Sequence, residues 1–124
     1  MRTEIARIFH IEAAHLLPGV PEGHKCRRLH GHSFRITVRV GGPVDPRTGW
    51  IVDFAELDRA WKPIHEALDH RYLNEVEGLS NPTSETLAHW ILDRFRLSAA
   101  TVRSVTIAET CTAECTVHAD PVER

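Results

Sequence analysis

Residues 30–41 read His30-Gly31-His32-Ser33-Phe34-Arg35-Ile36-Thr37-Val38-Arg39-Val40-Gly41. From Ser33 to Gly41, Phe34, Ile36, Val38 and Val40 alternate with Ser33, Arg35, Thr37 and Arg39, the two-residue period of a half-buried strand. His30 and His32 keep the phase of the apolar set, so both are expected on the buried face. Upstream, residues 3–17 predict a second strand, with Ile5, Phe9, Ile11 and Ala13 roughly alternating and His15 in their phase. Residues 18–29, PGVPEGHKCRRL, carry two prolines and two glycines and read as a loop.

Downstream, GGPVDPRTG is a turn region leading to Trp50-Ile51-Val52. Asp53, with Glu56 three residues on, predicts a capping box ahead of a helix carrying Phe54, Leu57, Trp61, Ile64 and Leu68 at helical spacing. Pro63 is expected to kink or weaken it. LDHRYLNEVEGLSNP reads as a long loop, and a second helix follows Asn81-Pro82-Thr83-Ser84 with Leu87, Ala88, Ile91 and Phe95 on one stripe. Residues 102–110 alternate again, Val105, Ile107 and Glu109 against Ser104, Thr106 and Ala108. A short strand over 114–119 closes the chain. Strand, strand, helix, helix, strand, strand predicts an α+β fold with an antiparallel sheet and both helices on one face. The other face would need a partner, so an oligomer is expected.

At 124 residues the chain is expected to form one domain, residues 1–124. A formal net charge of −2 and the lack of any Lys/Arg block argue against an electrostatic nucleic-acid partner. The segment MRTEIARIFH alternates polar and apolar residues, unlike a secretory leader, and no window approaches the ~18 apolar residues of a membrane span. An odd set of cysteines (Cys26, Cys111 and Cys115) argues against a disulfide framework, which makes the cytoplasm the expected compartment.

Side chains two apart on a strand can close on one metal ion, so His30 and His32 are candidate ligands, and His15 would give a third neutral nitrogen. Three protein ligands leave a tetrahedral position open, as in a catalytic zinc site. From spacing alone another histidine could complete the set. A His-x-His pair also occurs in cupin-type enzymes, but those usually place a Glu four or five positions after the second His, where this chain has Ile36 and Thr37. Cys26 lies between Lys25 and Arg27; flanking cations and a nearby metal favour its thiolate, a base or nucleophile. A fourth zinc ligand and an inert thiol are its other readings. Cys111 and Cys115 read as small strand-end residues rather than a metal pair. Asp69-His70 could form a proton relay, or simply a helix cap beside a surface histidine. Glu109 falls in the apolar phase of its strand, where a carboxylate needs either a ligand or an ion-pair partner such as an arginine.

Taken together, EAAH, CRRLHGHSF, DPRTGWIVDFAEL, LDHRYLN, NPTSETLAHWI and ETCTAEC resemble the 6-pyruvoyl-tetrahydropterin synthase superfamily, and in particular its bacterial 6-carboxy-5,6,7,8-tetrahydropterin synthase branch. The resemblance runs from about residue 4 to residue 117 in one register. It implies the tunnelling fold, a four-stranded antiparallel sheet with two helices on one side. Subunits of that fold join into an oligomeric barrel, usually a hexamer of two stacked trimers with active sites between subunits. It implies Zn2+ on His15, His30 and His32, with Cys26 as the proton-abstracting base. Asp69 and His70 would be a relay reaching the site from a neighbouring subunit. Glu109 would anchor the pterin, with Thr83, Ser84 and Thr110 near its ring. The implied reaction converts 7,8-dihydroneopterin triphosphate to 6-carboxytetrahydropterin, acetaldehyde and triphosphate, towards queuosine or other 7-deazapurines. A pyruvoyl-forming synthase acting on the same substrate and a catalytically silent zinc- and pterin-binding oligomer are the competing readings.

Overall fold

The computed structural model describes residues 2–119. Strands β1 (Glu4–His15) and β2 (His30–Gly41) come first, then helices α1 (Phe54–Leu68) and α2 (Ser84–Arg94), then β3 (Thr101–Ala108) and β4 (Glu114–His118). The strands pair in the order β1-β2-β3-β4, every neighbour antiparallel. The sheet is therefore a meander interrupted once, between β2 and β3, by both helices. The second strand starts three residues earlier than its apolar alternation predicts, so His30 and His32 lie within the ladder.

One-sided burial follows the alternation. Phe34, Ile36, Val38 and Val40 are all fully buried, with Phe9, Ile11, Val105 and Ile107 beside them. Helix α1 buries Leu57, Trp61, Ile64 and Leu68. Trp61 stacks on Phe9 with ring centroids 4.5 Å apart, a contact adding about 1 kcal/mol to the area it buries. On α2, Leu87, Ala88, Trp90 and Ile91 close the remainder of the same face.

Local signals end the helices in partly different ways from those expected. Asp53 caps α1 through the Ala55 N–H, but Glu56 pairs with Arg59 rather than completing the capping box. The helix runs through Pro63 without a break. That proline is exposed, and the Arg59 carbonyl it leaves unpaired can turn to water. Thr83 caps α2, accepting from the Thr86 N–H at 3.1 Å.

The opposite sheet face is mainly polar, with Ile8 an exposed apolar side chain on it. Arg39 donates to the Thr106 hydroxyl at 3.0 Å, and Thr106 bonds Thr116 at 2.8 Å. Such a face does not itself demand an apolar partner, so the reasoning behind the expected oligomer shifts to strand edges. Beyond β4 no further strand lies among the described residues, and β1 is covered on its outer side only near its end, by an isolated parallel bridge between Ala14 and Tyr72. No described helix is long and apolar enough to cross a membrane.

Candidate active site

Register builds the histidine cluster. Antiparallel pairing sets His15 opposite His30 and Ala13 opposite His32, and directly opposed side chains share a face. The three imidazoles therefore meet at the end of the core face, with ring centroids 4.6 Å (His15 to His30), 5.1 Å (His15 to His32) and 5.6 Å (His30 to His32) apart. One nitrogen of each lies within 4.8 Å of the others. His15 is buried, while His30 and His32 are half-buried, so the cluster has a closed floor and an approachable rim.

Tautomers follow from the partners. Nδ1 of His15 sits 3.0 Å from the Pro82 carbonyl, Nδ1 of His30 2.8 Å from that of Arg28, and Nδ1 of His32 2.9 Å from that of Ser33. A carbonyl oxygen can only accept, so each Nδ1 carries the proton and each neutral ring turns a lone pair out at Nε2. His15 and His32 bring those Nε2 atoms to 3.2 Å. Two lone pairs so close repel unless a cation lies between them. Burial outweighs the Pro82 contact and lowers the His15 pKa below its ordinary value, which disfavours the charged form of that ring. Two nitrogens bound to one tetrahedral zinc at about 2.05 Å would be about 3.3 Å apart. Carbonyl-oriented neutral imidazoles suit a borderline metal, and these residues fit zinc.

Cys26 occupies a short 3-10 turn, Lys25–Arg27, in the loop between β1 and β2. Its carbonyl accepts from the Leu17 N–H at 2.7 Å, and its own N–H donates to His24 Nδ1 at 3.1 Å. These bonds hold a half-buried thiol alongside the chain two residues past His15, without making it a member of the imidazole cluster. The guanidinium of Arg27 turns to the Val20 and Pro18 carbonyls, so it braces the loop.

Glu109 continues the inward phase of β3 beyond Ile107. Its Oε1 accepts from the Ser84 hydroxyl at 2.8 Å, and its Oε2 lies 3.8 Å from His32 Nε2. Its partners are thus a hydroxyl in the first turn of α2, where negative charge is favoured, and a histidine of the cluster; no arginine among the described residues pairs with it. Ser84, Glu109 and Thr110 line one hollow of about 430 Å3 together with Glu85 and Cys115. Thr83 faces Thr86 as the helix cap. Burial pushes the Cys115 thiol above its ordinary value, with Glu85 adding to the effect, and Cys111 is exposed. The larger hollow between Trp50 and Arg96, about 810 Å3, contains none of the candidate residues.

Asp69 and His70 lie outside the cluster, on the outer edge of β1. Asp69 Oδ1 accepts from the Glu12 N–H at 2.9 Å and Oδ2 from His70 Nδ1 at 2.8 Å. The Glu12 contact first, then His70, holds this carboxyl below the usual aspartate range. The His70 N–H donates back to the Glu12 carbonyl at 2.6 Å, and His70 adopts φ 57°, a left-handed conformation uncommon outside glycine. The His70 side chain is 77% exposed. It borders a shallow hollow with Ala14, Gly31, Tyr72 and His32. Spacing gave no sign of the Pro82 carbonyl, of Glu12 as the mooring of the Asp–His pair, or of Asn74, whose amide binds both backbone groups of Leu16.

Compared with known proteins, residues 4–120 match the family model described as 6-pyruvoyl tetrahydropterin synthase. The chain is 44% identical over 114 residues to 6-carboxy-5,6,7,8-tetrahydropterin synthase of Synechocystis sp., covering 87% of each. It is 32% identical over 124 residues to the protein of that name from Bacillus subtilis, covering 90% of this chain and 82% of the relative. Among solved structures, 6-pyruvoyl tetrahydropterin synthase of Caenorhabditis elegans superposes with a TM-score of 0.87 at 26% identity over 97% of both chains.

Proposed function

From the premise that this chain belongs to the 6-pyruvoyl tetrahydropterin synthase family, we propose that it is a zinc-dependent 6-carboxy-5,6,7,8-tetrahydropterin synthase. The reaction consumes 7,8-dihydroneopterin triphosphate and water and yields 6-carboxytetrahydropterin, acetaldehyde and triphosphate. In this reading it supplies a precursor of queuosine or other 7-deazapurines in the cytoplasm. The carrying observation is the set of three imidazoles, each with Nδ1 committed to a carbonyl and Nε2 turned inward, with Glu109 at 3.8 Å from the nearest of them.

His15, His30 and His32 would hold the zinc. Bound there, it supplies Lewis acidity to hydroxyl groups of the substrate side chain. The remaining work falls to the chain. Glu109, with one oxygen already held by Ser84, accepts from the 2-amino and ring N–H groups of the pterin, two parallel donors that suit a carboxylate. Thr83 and Thr110 flank this ring. Cys26 as thiolate removes the proton on C1′ of the side chain. Triphosphate leaves, tautomerisation carries the reducing equivalents into the ring, and hydrolytic cleavage of the side chain leaves a carboxylate on C6. No redox cofactor is required.

Asp69 and His70 move protons for a neighbouring copy. The exposure of His70 on the edge of β1, and the lack of a further strand beyond β4 among the described residues, support an oligomer with sites between subunits, a hexamer of two stacked trimers in this reading. Incubating the zinc-loaded protein with 7,8-dihydroneopterin triphosphate and analysing products by mass tests the proposal. Acetaldehyde with 6-carboxytetrahydropterin is expected. A pyruvoyl product without acetaldehyde would place the chain with synthases of the kind the Caenorhabditis elegans structure represents, and no product would leave a zinc- and pterin-binding oligomer.

A further inference from the structure

The three histidines are not oriented in the same way. His30 and His32 donate to carbonyls one or two residues away, those of Arg28 and Ser33. His15 donates to Pro82, 67 positions along the chain, in a stretch without regular secondary structure. Something must hold that carbonyl in place. Asn74 Oδ1 accepts from the Leu16 N–H at 3.0 Å, while its Nδ2 donates to the Leu16 carbonyl at 2.9 Å and the Ser80 carbonyl at 3.4 Å. Backbone N–H can only donate and C=O only accept, so the amide orientation is fixed. One side chain thereby replaces a strand partner at the residue after His15 and ties it to the residue two before Pro82. Pro82 itself is buried, and the Thr83 N–H to Asn81 carbonyl bond at 2.9 Å tightens the turn around it.

We propose that Asn74 is a positioning residue of the metal site: it holds the Pro82 carbonyl against His15 Nδ1 and so selects the tautomer that turns Nε2 towards the metal. Its effect is confined to His15, because the partners of His30 and His32 are local. The metal arm of this inference rests on the zinc reading above; the tautomer arm does not.

The test uses the full chain carrying Asn74→Ala or Asn74→Asp. In the metal-free protein, proton–nitrogen spectra of the imidazoles report the tautomer of each ring. In Asn74→Ala, His15 is expected to show mixed tautomers while His30 and His32 remain Nδ1-protonated. Zinc affinity, read by competition with a chromophoric chelator, should fall about 10–100-fold, the range for lost orienting partners of metal ligands. Asn74→Asp keeps the bond from the Leu16 N–H but sets a carboxylate oxygen against the Leu16 and Ser80 carbonyls, so its loss should be at least as large. If Asn74→Ala does not fold, the aspartate variant decides by the same criterion. An unchanged His15 tautomer, or an equal change in all three rings, overturns the proposal. A wild-type chain that holds no zinc would sink the zinc reading and leave the tautomer result to judge Asn74.

Discussion

Both edges of β1 near its end carry imidazole chemistry, and the two sites are finished to different degrees. On the edge facing β2, His15 is buried and every ring of the triad has its Nδ1 satisfied within the chain. On the other edge, Asp69 is fully engaged by Glu12 and His70, yet the His70 side chain remains 77% exposed. Orientation is provided in both places, whereas seclusion from water is provided only in the first. A proton relay in open water gains little from orientation, because solvent competes for the proton and screens the neighbouring charge. Under the proposed function, the imidazole cluster is complete within one chain, whereas the relay would need a surface brought to it.

The sharpest way to break this contrast is to remove one member from each side. His15→Ala should take zinc from near-stoichiometric to nearly absent by elemental analysis, with loss of turnover. His70→Ala should leave zinc content unchanged and lower kcat about 10²–10⁴-fold, the span of general acid–base assistance. Zinc loss in the second variant would merge the two sites into one. Cys26→Ala belongs with the relay: zinc near the wild-type content and turnover reduced to background. Loss of zinc there would make the thiol a ligand.

Mixing the His15→Ala and His70→Ala chains, dissociated and reassembled together, tests where the relay acts. If each site takes its zinc from one copy and its relay from the next, random assembly restores roughly a quarter of the sites. Activity no higher than that of the separate variants would return Asp69 and His70 to the chain that carries them.

The two regions also differ in how much of them the amino-acid pattern reveals. Alternation from Phe34 to Val40 and the phase of His15, His30 and His32 follow directly from one-sided burial, so strand faces and the candidate ligands were legible. Register was not: a loop over residues 16–29 imposes no fixed offset, and only packing sets His15 opposite His30. Backbone acceptors carry no side-chain signature, which hid the Pro82 carbonyl. Pairing with Arg59 took Glu56 from the capping box because an exposed carboxylate can choose either partner. The left-handed His70 was illegible for a similar reason, since its turn is tied to Glu12 of β1 and not marked by a glycine.

A smaller effect should come from the pterin side. Glu109→Gln keeps the Ser84 contact available but removes the charge that two parallel donors would meet. Hydrogen bonds to a charged group contribute about 1.5–3 kcal/mol, so KM is expected to rise roughly tenfold or more, with zinc content unchanged. Equal apparent affinity for substrate would remove Glu109 from the anchor role and place recognition elsewhere in the hollow by Thr110.

The smallest effect concerns the mooring of the exposed site. Asp69 is held below the usual aspartate range by the Glu12 N–H and His70, so its ionised form is favoured by folding. Its contribution to stability is therefore complete above the unfolded carboxyl value, about pH 3.9, and disappears as pH falls through the lower folded value. Asparagine at 69 can still accept from Glu12 but cannot charge-assist His70. Urea midpoints of wild type and Asp69→Asn should differ by a constant amount from pH 5 to pH 6 and converge as pH falls below about 4. A gap that persisted at pH 2 would mean that shape, rather than charge, fixes the pair to β1.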